Sequence, residues 1–248
     1  MKGANKPNIA DVTDYVSKDI GGFHAVRISS LTKLKLKTVL LNKNPYLFKA
    51  KNILTSEALV TQLLDAHLSS QEETMFGKFL EELAIFICGK MYGGEKSDAV
   101  GIDLEFTRDS VKYLVSIKSG PKWGNSSQIT KMRDNFRTAK RILGTNSSKM
   151  NIVAVNGCCY GRENAPDKGD YLKYCGQAFW EFISGSLSLY TEIIEPLGYR
   201  AKERNEEFQK QYAILVNKFT SEFSAEFCSD GAIDWQRIVE MNSSKKST

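Results

Sequence analysis

Two short runs with strand alternation, GIDLEF (101–106) and YLVSIK (113–118), lie close together in a chain whose other apolar residues recur mostly at helical spacing. Arg108, Asp109 and Ser110 stand between them, so the two runs read as an antiparallel hairpin. An isolated hairpin is marginal in water, so helices must cover this one. Side chains alternate along a strand. Ile102, Leu104 and Phe106 therefore point one way and Asp103 and Glu105 the other. In the second run Tyr113, Val115 and Ile117 are apolar, while Ser116 and Lys118 share the opposite face. Pairing the strands can set Asp103 beside Ser116 and Lys118.

The surroundings are mainly helical. Ile9, Val12, Tyr15, Val16 and Ile20 mark a helix over 9–24. A basic stretch (33–51) follows, which the Lys-Leu alternation leaves open between helix and strand, with a turn at Asn44-Pro45. A short helix is expected over 55–68. A new one is expected from a capping box of Ser70 and Glu73, with Phe76, Leu80, Leu83 and Ile87 as its apolar stripe and Gly93-Gly94 as its end. Another spans 127–143, with Lys131, Arg133, Arg137, Lys140 and Arg141 outward. NIVAV (151–155) suits a strand buried on both faces. Helices are then expected at 174–184, 187–197, 199–228 and after the Asp230-Gly231 turn, before a frayed NSSKKST tail. The fold expected is α/β (α+β): a central mixed sheet flanked by helices, with helical additions at both ends. One domain over 1–248 is the simplest organisation, with a helical region 1–68, a core 69–160 and a helical region 161–248.

No window approaches the roughly eighteen apolar residues of a membrane span. Met1 to Pro7 has no apolar core behind it, so it does not read as a signal peptide and a cytoplasmic location is expected. The five cysteines are odd in number and lack zinc spacing, so they are expected to be reduced and mostly buried. Only His24 and His67 are available as histidines, which makes His-dependent triads hard to build. Hydrolysis would have to use carboxylates, lysine and a metal. The net charge of +5 is compatible with ordinary solubility and with an attraction for polyanions.

Phosphodiester hydrolysis needs the equipment the hairpin can present. A carboxylate holds a hard divalent cation through oxygen, and the cation polarises phosphate and acidifies a bound water. A nearby ammonium orients the water and offsets developing negative charge. Glu81, on a helical stripe with Gly77, Ala84 and Cys88, can approach the same cleft, whereas Glu82 shares its face with Lys78 and reads as solvent charge. Taken alone, such a pattern more often describes a half-exposed sheet with a surface ion pair.

The loop after Lys118, SGPKWGNSSQ (119–128), gathers Lys122, Trp123, Asn125, Ser126, Ser127 and Gln128 ahead of a helix. Such a segment can donate to phosphate and base edges, or it can be a capped turn with a core tryptophan. Both readings stand at this point. Arg162, Lys168 and Lys173 are further candidates for phosphate contacts, while the adjacent Cys158 and Cys159 read as structural and 176–185 as a core helix.

GIDLEF…YLVSIKSG resembles the PD-(D/E)XK nuclease superfamily. NPYLFKAKN (44–52), SSQEETMFGKFLEELAIF (69–86), SIKSGPKWGNSSQ (116–128) and NIVAVNGCCYGR (151–162) resemble type II restriction endonucleases of the PmeII-like kind, over roughly 10–240. The resemblance implies a Mg²⁺-dependent endonuclease on duplex DNA, with Asp103 as metal-binding acid and Lys118 as the catalytic lysine. Ser116 stands where the superfamily usually has Asp or Glu. This implies a migrated acid, Glu81 first and Glu105 in reserve, with Ser116 bonding a metal-bound water and the Ile117 carbonyl as a further ligand. Residues 122–128, Lys131 and Arg162 would position the DNA. A homodimer on a near-palindromic site and a cognate methyltransferase would follow. A structure-specific repair or recombination nuclease, or an inactive DNA-binding core, are the alternatives.

Overall fold

A computed structural model describes residues 8–146 and 151–245. The chain begins with helices α1 (Ile9–Lys33), α2 (Leu36–Leu41), α3 (Pro45–Ala50) and α4 (Ser56–Tyr92). Strands β1 (Leu104–Arg108) and β2 (Val111–Lys118) follow, then α5 (Ser126–Asn146), β3 (Asn151–Cys158) and β4 (Leu172–Cys175). The remainder is α6 (Gln177–Ser184), α7 (Leu189–Glu192), α8 (Ile194–Leu197), α9 (Ala201–Phe227), the small pair β5 (Cys228–Ser229) and β6 (Ala232–Ile233), and α10 (Trp235–Ser243). The chain gathers into two compact units. One takes residues up to Ile20 with Phe76–Tyr199; the other takes Gly21–Met75 with Arg200 onward.

The first unit holds the mixed four-stranded sheet, in the order β1-β2-β3-β4. β1 and β2 are antiparallel, as the alternation predicts, and β3 and β4 add in parallel. The hairpin turn has Asp109 and Ser110 both at positive φ (51° and 63°), the twist-matched arrangement for a two-residue connection. One face of the sheet packs on α5: Ile102, Leu114, Met132, Phe136, Ala139, Ala154 and Tyr171 form a buried cluster. On the other, Phe106 stacks between Tyr92 and Tyr113, and Phe182 closes against Tyr113 and Tyr174. Because Leu114, Ser116 and Lys118 alternate onto one face, the polar pair lies on the side that α5 covers.

In the second unit Leu31, Leu36, Val39, Leu40, Phe48 and Ile53 pack with Leu59, Leu63, Leu64, Phe208, Phe219, Phe223 and Phe227. The basic stretch resolves into α2 and α3. Asn44 caps α3, accepting from the amides of Tyr46 (3.0 Å) and Leu47 (3.4 Å).

Three sequence expectations are corrected. Ser70 does not start a helix; α4 runs through it, and the Ser70 hydroxyl donates back to the Ala66 carbonyl at 3.1 Å. Extending a formed helix is cheaper than nucleating a second one, so the polar stretch 69–74 between the buried Leu68 and Phe79 continues as helix. The expected 174–184 helix starts later: Tyr174 and Cys175 end strand β4, which pairs with β3 until Gly176 (φ 54°) turns the chain into α6. The 187–197 helix is two short ones, α7 and α8. The Lys246–Thr248 end of the expected frayed tail and the segment Met1 to Pro7 lie outside the described residues. All five cysteines are free thiols, four of them buried. No helix among the described residues is long and apolar enough to cross a membrane.

Candidate active site

Asp103 enters the sheet one residue ahead of β1, its backbone N–H donating to the Val115 carbonyl at 2.9 Å. Extending the β1–β2 register by one position sets it opposite Ser116, as the alternation predicts. Its Oδ2 atom accepts the Ile117 N–H at 2.6 Å and the Ser116 hydroxyl at 3.4 Å. Lys118 Nζ lies 3.5 Å from the same oxygen and donates to the Ile117 carbonyl at 2.8 Å. The lysine ammonium thus bridges a carboxylate and a main-chain carbonyl. The pair is partly shielded, its side chains 21% and 30% exposed.

Glu81 on α4 lies within electrostatic reach of Asp103 and Lys118. Its face packs closely: Ala84 and Cys88 are buried, and a Cβ on Gly77 would sit 3.5 Å from the Ser119 Cβ. Burial and the negative charge of Asp103 push its carboxyl above the usual range, while the Lys118 and Lys96 ammonium groups pull it down. Glu81 also helps push the buried Cys159 thiol up to about 12, after burial itself. Glu82 is exposed and lies 3.7 Å from Lys78, the solvent pair its spacing suggests. Glu105 is occupied elsewhere, bonded to Lys112 at 2.6 Å and Ser97 at 2.8 Å. Burial alone would raise its carboxyl, but these two hydrogen bonds hold it below the ordinary range. Among the described residues no three His, Cys, Asp or Glu side chains group around one point. The oxygens that meet at Lys118 are Asp103 Oδ2 and the Ile117 carbonyl, with Glu81 near enough for its charge to act on Asp103 and Lys118.

Asn156 on β3 completes the arrangement and is absent from the sequence expectations. It is 1% exposed and pairs with Ser116 in the β2–β3 register. Its Nδ2 donates to the Ser116 carbonyl at 3.1 Å, and its Oδ1 accepts the Trp123 indole N–H at 3.1 Å. The Trp123 ring lies 5.5 Å from Lys118 Nζ. The available signal was a polar residue interrupting the apolar run NIVAVNGCC.

The 119–128 loop takes up its capped-turn geometry. Asn125 Oδ1 accepts the Gln128 N–H at 3.0 Å, and Gln128 Oε1 accepts the Asn125 N–H at 2.9 Å, a reciprocal cap on α5. Trp123 is half-buried against the α5 cluster. Ser126, Ser127, Lys122, Lys131 and Arg162 are exposed. Gly120 leaves room for the Tyr160 ring, which a Cβ there would meet at 2.3 Å, and Gly161 (φ 94°) accommodates Pro121, so the loops after β2 and β3 are packed together. Lys168 and Lys173 are engaged with Glu163 (3.1 and 3.5 Å), and Lys173 also donates to the Pro121 carbonyl at 2.9 Å. Arg133 and Arg137 both reach Asp170, leaving part of the α5 charge paired.

The family model described as Type II restriction endonuclease EcoO109I matches residues 10–205 of the chain. No curated protein matches it.

Proposed function

The chain belongs to the family of the type II restriction endonuclease EcoO109I, a family of nucleases acting on DNA, and from that premise we propose a Mg²⁺-dependent enzyme on a PD-(D/E)XK core, PmeII-like in detail, that cuts a short duplex site. One observation carries the proposal. The Lys118 ammonium bridges Asp103 Oδ2 and the Ile117 carbonyl, so two of the three proposed ligands already share a cation. The third, Glu81, is held above its ordinary range by burial and by Asp103, a crowding of acids that a divalent ion would relieve.

The donor set fits a hard cation: Asp103, Glu81 and the Ile117 carbonyl supply oxygen only. What Mg²⁺ supplies there is polarisation of the scissile phosphate and a more acidic water. Asp103 is oriented for this by the Ile117 amide and the Ser116 hydroxyl. Lys118 orients the attacking water and offsets charge on the phosphate oxygens, with no covalent enzyme intermediate. Ser116, in place of the usual acid, leaves the second carboxylate to Glu81.

Lys122, Lys131 and Arg162, with Ser126 and Ser127, are the proposed backbone contacts. Trp123, Asn125 and Gln128 support them from the loop, and the two amides would have to exchange their capping bonds to read base edges. A homodimer would match a two-fold symmetric site. Such an enzyme would work in the cytoplasm beside a methyltransferase that protects host DNA. Run-off sequencing of ends from plasmids digested with Mg²⁺ tests the proposal. Discrete cuts at one repeated sequence support it; a smear, or cutting only at branched structures, points instead to a structure-specific nuclease.

A further inference from the structure

We infer that Asn156 is a positioning residue for Lys118, acting through the Trp123 ring. The inference rests on the active-site reading above and deepens it. A lysine side chain has four rotatable bonds, and fixing them costs rotamer freedom. Lys118 is held on three sides: by the Ile117 carbonyl at 2.8 Å, by Asp103 at 3.5 Å and by the Trp123 ring at 5.5 Å. The first two are also the oxygens proposed for the metal. When those are taken up, the aromatic face is the contact that remains to keep the ammonium near the reacting phosphate.

The orientation of that face is set from below. Trp123 sits in a loop containing Gly120, Pro121 and Gly124, and its indole N–H is tied to Asn156 Oδ1 at 3.1 Å. The amide of Asn156 cannot rotate freely, because its Nδ2 is bonded to the Ser116 carbonyl at 3.1 Å across the β2–β3 pair. A buried amide both donating and accepting has one orientation that satisfies it. The sheet backbone thereby fixes the amide, the amide fixes the ring, and the ring limits where the Lys118 ammonium can go.

The test is a double-mutant cycle with two readouts. Asn156→Ala and Trp123→Phe are each expected to slow single-turnover cleavage at saturating DNA and Mg²⁺ by about 10- to 100-fold, the scale of a misplaced catalytic group. KM should stay within about twofold, and the double variant should be no slower than the slower single. Effects that multiply, or a Trp123→Phe enzyme at the wild-type rate, would overturn the inference. The second readout needs no metal. Asn156→Ala should move the Trp123 indole N–H resonance, identified by its loss in Trp123→Phe, and leave that of Trp180, which donates to the Cys159 carbonyl at 2.8 Å. An unmoved Trp123 resonance would overturn it as well. Should Asn156→Ala not fold, Asn156→Asp replaces it in both arms. It keeps the acceptor for the indole and loses the donor to Ser116, with slowed cleavage and a shifted resonance again expected. A wild-type protein that cuts nothing would count against the nuclease reading, and the resonance arm would still decide the Asn156–Trp123 coupling.

Discussion

Lys118 Nζ lies 3.5 Å from Asp103 Oδ2, the two side chains arriving from neighbouring strands on the same face of the sheet. Strand alternation alone was enough to anticipate this meeting, because period-two geometry leaves few ways to pair the hairpin. The identity of the third partner, the second acid, is where the account can be tested most sharply.

Glu81→Gln, Glu82→Gln and Glu105→Gln should separate cleanly. Glu81→Gln is expected to cut cleavage by at least about 100-fold, as loss of a metal-binding carboxylate does. Glu82→Gln removes an exposed charge beside Lys78 and should leave activity within about twofold. Glu105→Gln breaks the bonds to Lys112 and Ser97 and should lower stability by about 1–2 kcal/mol, with chemistry less affected. Cleavage rates and denaturant midpoints on the three variants decide the assignment.

Gly157 lies under the Phe179 ring, which an added Cβ would meet at 2.2 Å. Phe179 is fully buried and cannot swing away. Gly157→Ala should therefore destabilise the sheet-bearing unit by about 1–3 kcal/mol, the scale of overpacking in a close-packed core. Thermal unfolding checks this, and an unchanged midpoint would mean that β3 and α6 are less tightly apposed.

Acid should weaken the second unit. His24 Nδ1 and His67 Nε2 are buried without a hydrogen-bond partner among the described residues. Burial lowers both pKa values from the ordinary 6.5, helped by Arg204 and Arg27 beside His24 and Lys43 beside His67, with Glu72 opposing at His24. For a base with a depressed folded-state pKa, the contribution to stability is fully present above 6.5 and is lost as pH falls below it. The unfolding midpoint should drop as pH falls below 6.5, and less steeply after His24→Gln with His67→Gln. A slope unchanged by the double substitution would contradict this.

Duplex binding should weaken steeply with salt. Replacing Lys122, Lys131 or Arg162 by Gln should each reduce the slope of log K against log salt by about 0.9, if each neutralises one phosphate. Fluorescence anisotropy on a short duplex without Mg²⁺ measures it. A slope untouched by all three would move the DNA to another face.

What the sequence hid follows from the same physics that made the hairpin legible. The Ser70–Glu73 pattern is a sound start signal, but a side-chain cap is worth only about 1 kcal/mol and yields to the low cost of extending a helix already formed. β4 is four residues long, too short for alternation to separate it from the start of α6. Asn125 and Gln128 read equally well as DNA contacts or caps, because the same amide groups serve both; only their mutual hydrogen bonds distinguish the cap. Asn156 stood out only as a polar break in NIVAVNGCC, and its role could not be read because it depends on Trp123 and Ser116, which are remote from it in sequence.

The most direct measurement is the Mg²⁺-dependent cleavage rate of Asp103→Ala beside wild type on a plasmid that wild type cuts at discrete sites. Loss of cleavage by at least about 1,000-fold, with duplex binding retained, is the result expected if Asp103 holds the metal. Cleavage at an unchanged rate would remove Asp103 from the chemistry and contradict the site built around it.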